Sequence, residues 1–199
     1  MAAGVMAGGL MQPKDILDYW FSGRVQMLCF ERDDAFDAEI QARFGDAVAE
    51  AQAGGFEGWR ATPEGALALL ILIDQMARNI YRGSPQAFAG DARALAIAQQ
   101  MVDSGFDRGF TFVQRRFTYL PFEHSEDRAV QKRSLALFGA LAVECAAEHD
   151  VEAAVQLLYA ARHAEIVFRF GRYPHRNACL GRISTQEEEA FLKEPHSSF

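Results

Sequence analysis

The chain has 199 residues, half of them hydrophobic, 24% charged and 12% aromatic. That is enough for one compact domain burying roughly 70% of its unfolded surface with no disulfide or metal staple. A formal net charge of −7 argues against a dedicated nucleic-acid binder, whose affinity rests on cationic surface. The longest unbroken apolar run, Ala66 to Ile73, falls far short of the ~20 residues that span a bilayer, which argues against a membrane partner. Cys29, Cys145 and Cys179 are odd in number and form no Cys-x-x-Cys pair, the usage of a reducing cytoplasm. Met1 to Gln12 is small and apolar but carries no positive charge. It reads as a mobile N-terminus, not a signal peptide, ahead of a single domain over 13–199.

Alternating strand patterns are scarce, and the composition favours residues that lose little side-chain entropy in a helix. Lys14 to Phe21 predicts a short helix with Ile16, Leu17, Trp20 and Phe21 inward. Phe36, Ile40, Phe44, Ala47, Val48 and Ala51 form a stripe at spacings of three and four, ended by Gly54-Gly55. Thr62-Pro63-Glu64 supplies an N-cap, a first-turn proline and an acid at the positive helix end. The helix that follows is apolar on every side as far as Ile73, so it belongs at the centre of the domain. Asp91 opens a helix carrying Leu95, Ala98 and Met101, and an arginine- and phenylalanine-rich loop is expected from Phe106 to Pro121. Two helices, Ser125 to Ala147 and Val151 to Phe170, have only Glu148-His149-Asp150 between them, which makes them antiparallel neighbours. A helix-free stretch, Gly171 to Ile183, precedes Ser184-Thr185-Gln186-Glu187, read as a capping box for a last short helix. The expectation is an all-α domain of six to eight helices in antiparallel pairs.

Three polar clusters sit where this pattern predicts burial. In the first, Asp74, Arg78 and Arg82 recur at spacings of four on one face, with Gln75 and Asn79 on the adjoining one. The plain reading is an i,i+4 ion pair; the functional one is a pocket wall, since such groups beside a dry helix must find partners. In the second, Ser125, Glu126 and Asp127 suit a helix start, but capping does not explain Glu123 and His124. A carboxylate beside an imidazole there suits acid–base work. The third runs from Phe168 to Asn177 and contains Arg169, Arg172, His175, Arg176 and Asn177. From Tyr159 to Arg182 there are five arginines and one glutamate, and arginine outnumbers lysine 17 to 3 in the chain. Rigid guanidinium forks suit bidentate carboxylate or phosphate binding; the plainer alternative is a loop stapled to acidic helices.

No His-Glu-x-x-His, paired cysteine or EF-hand is present, so no metal ligand is assigned. His124, His163 and His175 with Glu123 or Asp127 nonetheless leave a metal-dependent hydrolase as an alternative. A Gly-rich phosphate loop is also missing, and no cofactor is identified.

Four strings then carry a family resemblance: Ile16 to Phe21, Leu72-Ile73-Asp74-Gln75 continuing through Arg78 to Gly83, Tyr119 to Asp127, and Arg169 to Asn177. In their order and over Asp15 to Phe191 they resemble DUF924, a family of unassigned biochemical role. The resemblance implies an all-helical, tetratricopeptide-like right-handed superhelix. Such sequences commonly carry Phe-Pro where this chain has Met76-Ala77, a departure expected to loosen a kink.

The leading expectation is a pocket for an anionic small molecule where Arg172, His175, Arg176 and Asn177 meet Arg78, Asn79, Arg82, Glu123 and His124. If catalytic, His124 or His175 acts as acid or base, Glu123 as its partner and the arginines as the clamp; hydrolysis or transfer at a phosphate or carboxylate ester is the class to test. A helical module for a protein or peptide partner is the alternative, although the clusters fall at helix ends and the Trp-Leu-Gly-Tyr repeat pattern of such arrays is missing. A third reading is a buried polar network with no ligand, whose members satisfy one another.

Overall fold

A computed structural model describes residues 11–195 and residue 197. Among these the secondary structure is helical, with no strand. The α-helices are α1 (Pro13–Trp20), α2 (Gly23–Leu28), α3 (Asp34–Gln52), α4 (Pro63–Leu70), α5 (Ala77–Ile80), α6 (Asp91–Asp103), α7 (Phe112–Glu123), α8 (Arg128–Phe170) and α9 (Gln186–Phe191). The count exceeds the expected six to eight because α2 and α7 were not foreseen. The expectation of a mobile N-terminus falls for its first ten residues outside the described ones. Met11, by contrast, packs on the core, and the Gln12 N–H donates to Asp15.

The all-apolar segment is central, as its sequence requires. Thr62 caps α4 through Gly65 N–H, and Ala66 to Ile73 are at most 1% exposed. Helix α1 packs on α4, while α3 packs on the segment that follows. Trp20 is fully buried with its ring edge-on to Phe117, 5.7 Å between centroids. Between α4 and α5, Ile71–Met76 winds as a π-helix, and the Ala77 N–H reaches back five residues to the Leu72 carbonyl. With alanine in place of the proline at 77, its N–H is available to close this wide turn. Turns of this kind re-aim side chains and recur at functional sites; this one contains Asp74 and Gln75.

Gly90 explains how α6 comes so close to that turn. A Cβ there would lie 2.6 Å from the Ile73 carbonyl oxygen, so only glycine allows the approach. The next residue, Asp91, is thereby set against the end of the central helix.

The segment expected as a loop from Phe106 to Pro121 is a 3-10 turn, Phe106–Gly109, followed by α7. Thr111 and Gln114 form a capping box, and Phe112, Phe117, Tyr119, Leu120 and Phe122 go inward. The arginines do not break this helix. Arg116 lies on the faces of Phe30 and Phe117, 4.9 and 4.7 Å from the ring centres, and Arg115 lies over Tyr119. Pro121 stands in the last turn, where it removes a single backbone donor.

Helix α8 reverses at His149, whose φ of −134° and ψ of 34° are not helical. A straight helix of 43 residues would be about 64 Å long, yet Arg128 donates to the Phe168 carbonyl at 2.9 Å. The two halves are thus antiparallel, as their short link predicts. The first half is capped by Asp127, not Ser125: the Asp127 carboxylate accepts from Ala129 and Val130 N–H, while Ser125 accepts from Asp127 N–H. At the C-terminus the capping box is Thr185 with Glu188, one residue later than read from sequence. The stretch between is free of α-helix but holds a 3-10 turn, Pro174–Arg176. Tyr173, fully buried, anchors it, with its N–H on Glu126 and its hydroxyl on the Glu123 carbonyl.

Candidate functional site

A cavity of about 970 Å³ opens between the end of the central helix, the end of α7, the second half of α8 and the 171–183 loop. Its wall includes Gln75, Arg78, Asn79, Arg82, Glu123, His124, His175 and Arg176, eight of the residues anticipated from sequence. Apolar lining comes from Phe88, Leu120, Tyr159 and Ala178, among others. The second cluster was read as a helix start, but Glu123 ends α7 and His124 is its C-cap. Gln131, fully buried, donates to the Glu123 carbonyl at 2.7 Å and the Ser125 carbonyl at 2.6 Å, fixing this chain end. The Glu123 main chain is therefore fixed beside the cavity by the side chains of Gln131 on α8 and of Tyr173, both donating to its carbonyl.

Asp74 lies behind the wall, fully buried. Its carboxylate accepts from Gln75 at 2.5 Å and Arg78 at 3.1 Å, and lies 2.7 Å from His124 Nδ1. Burial alone would raise its pKa; the His124 ring and the Arg78 guanidinium outweigh that and hold it well below the usual range. Burial, followed by the Arg78 charge, lowers the His124 pKa. A neutral His124 then donates Nδ1–H to Asp74, which leaves Nε2 as the ring's basic nitrogen. Burial, reinforced by Asp74, pushes the neighbouring Glu123 well above the carboxylate range. Glu123 is 1% exposed, and its Oε1 has no hydrogen-bond partner among the described residues. Its Oε2 is 3.3 Å from His163 Nδ1, which also lies 2.8 Å from the Tyr159 carbonyl. Burial takes His163 down to about 3 and His175, assisted by Arg176, down to about 4.

Asp91 joins the first and third clusters. Its two oxygens accept from Arg78 at 2.8 Å and from Arg176 at 2.9 Å. Each guanidinium uses one terminal nitrogen for these carboxylate contacts, and the Nε of both is buried without a partner. Arg176 lies 4.6 Å from the ring centres of both Phe88 and Tyr173, a position that locks it at the cavity.

Several expected placements are corrected. Arg82 does not stack with Asp74 and Arg78, because α5 ends at Ile80; it turns to Asp37 on α3, where Asn79 also donates. Arg172 is absent from the cavity wall and forms a fork on both oxygens of Glu188, at 2.6 and 2.7 Å. Asn177 donates to Ser184 and Glu188, and Arg169 pairs with Glu187. These three hold α9, the plainer stapling alternative. His124 and His163 do converge, with ring centroids 6.4 Å apart. Among the described residues, however, no three or more His, Cys, Asp or Glu side chains are arranged to hold a metal. Sequence reasoning gave Asp91 only as a helix start and missed Phe88, Tyr159 and Arg162. Asp91 carries no local signal beyond its cap position; His163 was visible as a polar residue within the Ala160–Ala164–Val167 apolar face.

The class defined so far is an all-helical protein with a polar cavity at the meeting of helix ends. A family model described as "Bacterial protein of unknown function (DUF924)" matches residues 16–196, and the chain belongs to this family. It is also similar to a solved protein of unknown function from Agrobacterium tumefaciens, at 36% identity and a TM-score of 0.82, covering 91% of this chain and 96% of that one. No curated protein matches. No described helix is long and apolar enough to cross a membrane.

Proposed function

We propose that the cavity binds a small anionic molecule and acts on it by proton transfer. The observation that carries this reading is the pairing of Arg78 and Arg176 on Asp91, each through one terminal nitrogen, at the cavity that Glu123 and His124 also line. Two neighbouring groups with opposite protonation suit an acid and a base: Glu123 retains its proton, and His124, oriented by Asp74, offers a basic nitrogen. Arg78 and Arg176 serve as the charge clamp, Asp74 and Asp91 position them, and His175 stands by as a second neutral imidazole. Gln75, Asn79 and Arg82 complete the wall. Arg169, Arg172 and Asn177 are assigned to holding α9.

The test is thermal unfolding against a panel of phosphorylated and carboxylated metabolites, with and without divalent metal. A ligand at ~100 times its Kd adds about 2.7 kcal/mol, a rise of roughly 5–10 °C for this size. The rise is expected in wild type and in Arg172→Ala, and is expected to vanish in Arg176→Gln. Equal responses in wild type and Arg176→Gln refute the clamp.

A further inference from the structure

The charges around the cavity are nearly balanced before any ligand arrives. Arg78 and Arg176 face Asp74 and Asp91, and Arg82 faces Asp37. Among the arginines of the cavity wall itself, Arg162 alone has no carboxylate partner among the described residues and lies over the Tyr159 ring; Arg116, also without one, stands outside the wall, and Glu31 is exposed. One unmatched cation in the wall suits a monoanion better than a dianion, because burying a second negative charge without a partner is costly. Glu123 supplies the second constraint. A buried carboxyl with an unpartnered oxygen calls for a ligand group to meet it, and a protonated carboxyl requires an acceptor. Phe88, Leu120, Tyr159 and Ala178 offer the third, an apolar wall for the body of the molecule.

We infer that the ligand is a monocarboxylate with an apolar body, its carboxylate taken by the spare donors of Arg78 and Arg176 and one of its oxygens accepting a hydrogen bond from Glu123. This rests on the anion-binding reading above and narrows it from anions in general to carboxylic acids. The Glu123 proton is kept in place first by burial and then by Asp74 on the π-helical turn, which disfavours the carboxylate; His163 on the second half of α8 is neutral, and Arg116 on α7 only partly opposes them. Binding is therefore linked to pH, strong while Glu123 is protonated and weaker as pH rises through its elevated pKa.

The experiment is calorimetric titration of the full chain with hexanoate, dodecanoate, phenylacetate and indole-3-acetate. Phosphate monoesters and primary amides of matched bodies form the comparison. At least one carboxylate is expected to bind, at least tenfold tighter than its matched phosphate ester and amide, and to weaken with rising pH. Glu123→Gln, which keeps a donor, is expected to bind with a flattened pH profile, and Glu123→Ala about tenfold or more weaker. Preference for the phosphate esters overturns this inference and leaves anion binding standing; no response to either anion class overturns both. Carboxylate binding that does not change with pH, or that survives unchanged in Glu123→Ala, removes Glu123 and with it the proposal. If Glu123→Ala does not fold, the wild-type pH profile decides the same point.

Discussion

Arg172 and Arg176 stand four residues apart in one loop and do opposite work. Arg172 closes its fork on both oxygens of Glu188 and adds the Ile183 carbonyl, so its Nε and one terminal nitrogen are committed to holding α9. Arg176 is buried, stacks on Phe88 and Tyr173, and gives Asp91 one nitrogen while its Nε finds nothing. The lesson is that a run of arginines carries no single function. What separates a staple from a clamp is where the fold sets it: Arg176 stands in the cavity wall and Arg172 does not.

The largest expected effect comes from removing the carboxylate behind the clamp. Asp74→Ala leaves the Arg78 guanidinium and the His124 ring proton short of a buried partner, at about 3–5 kcal/mol, read by urea denaturation. A loss under 1 kcal/mol would put this region with the staple. Next is Gly90→Ala, whose new Cβ would meet the Ile73 carbonyl at 2.6 Å. A loss of about 1–3 kcal/mol is expected, with a weakened ligand response as Asp91 shifts away from Arg78 and Arg176.

A pH series sharpens the contrast. The folded-state pKa of Glu123 is raised, so the native state binds more protons than the unfolded one above the ordinary carboxylate range. Its contribution is therefore greatest at low pH and falls as pH rises through the elevated pKa. The depressed His163 and His175 act oppositely, eroding stability as pH falls from the ordinary imidazole range toward about 3 to 4. Glu123→Gln should flatten the alkaline limb and leave the acid limb intact; an unchanged alkaline limb would contradict a protonated Glu123. The smallest effect is expected at the staple's edge. Arg169→Ala breaks an exposed pair with Glu187 and should cost about 0–1 kcal/mol, with ligand response unaltered.

The resemblance to DUF924 drawn from four motifs agrees with the family match, and eight expected site residues share one cavity wall. The misreadings have specific causes. Phe106 to Pro121 looked like a loop because arginines and a proline interrupt the apolar pattern, but cation–aromatic stacking lets Arg115 and Arg116 cover rings on a helix. Ser125 and Ser184 looked like caps because several short polar residues compete at each start, and backbone geometry settles which of them is used.

The apolar spacing by itself determined most of the helices, α2 and α7 excepted, because burial of such stripes is a local, periodic property. The eight-residue dry segment likewise put the central helix at the centre, and the short link made α8 a hairpin. Only the tertiary structure decided which polar groups meet. Asp91 reaches Arg176 across 85 residues and Asp74 reaches His124 across 50. Such pairings depend on the close approach at Gly90 and the wide turn at Ile71–Met76, features of packing that no residue spacing encodes.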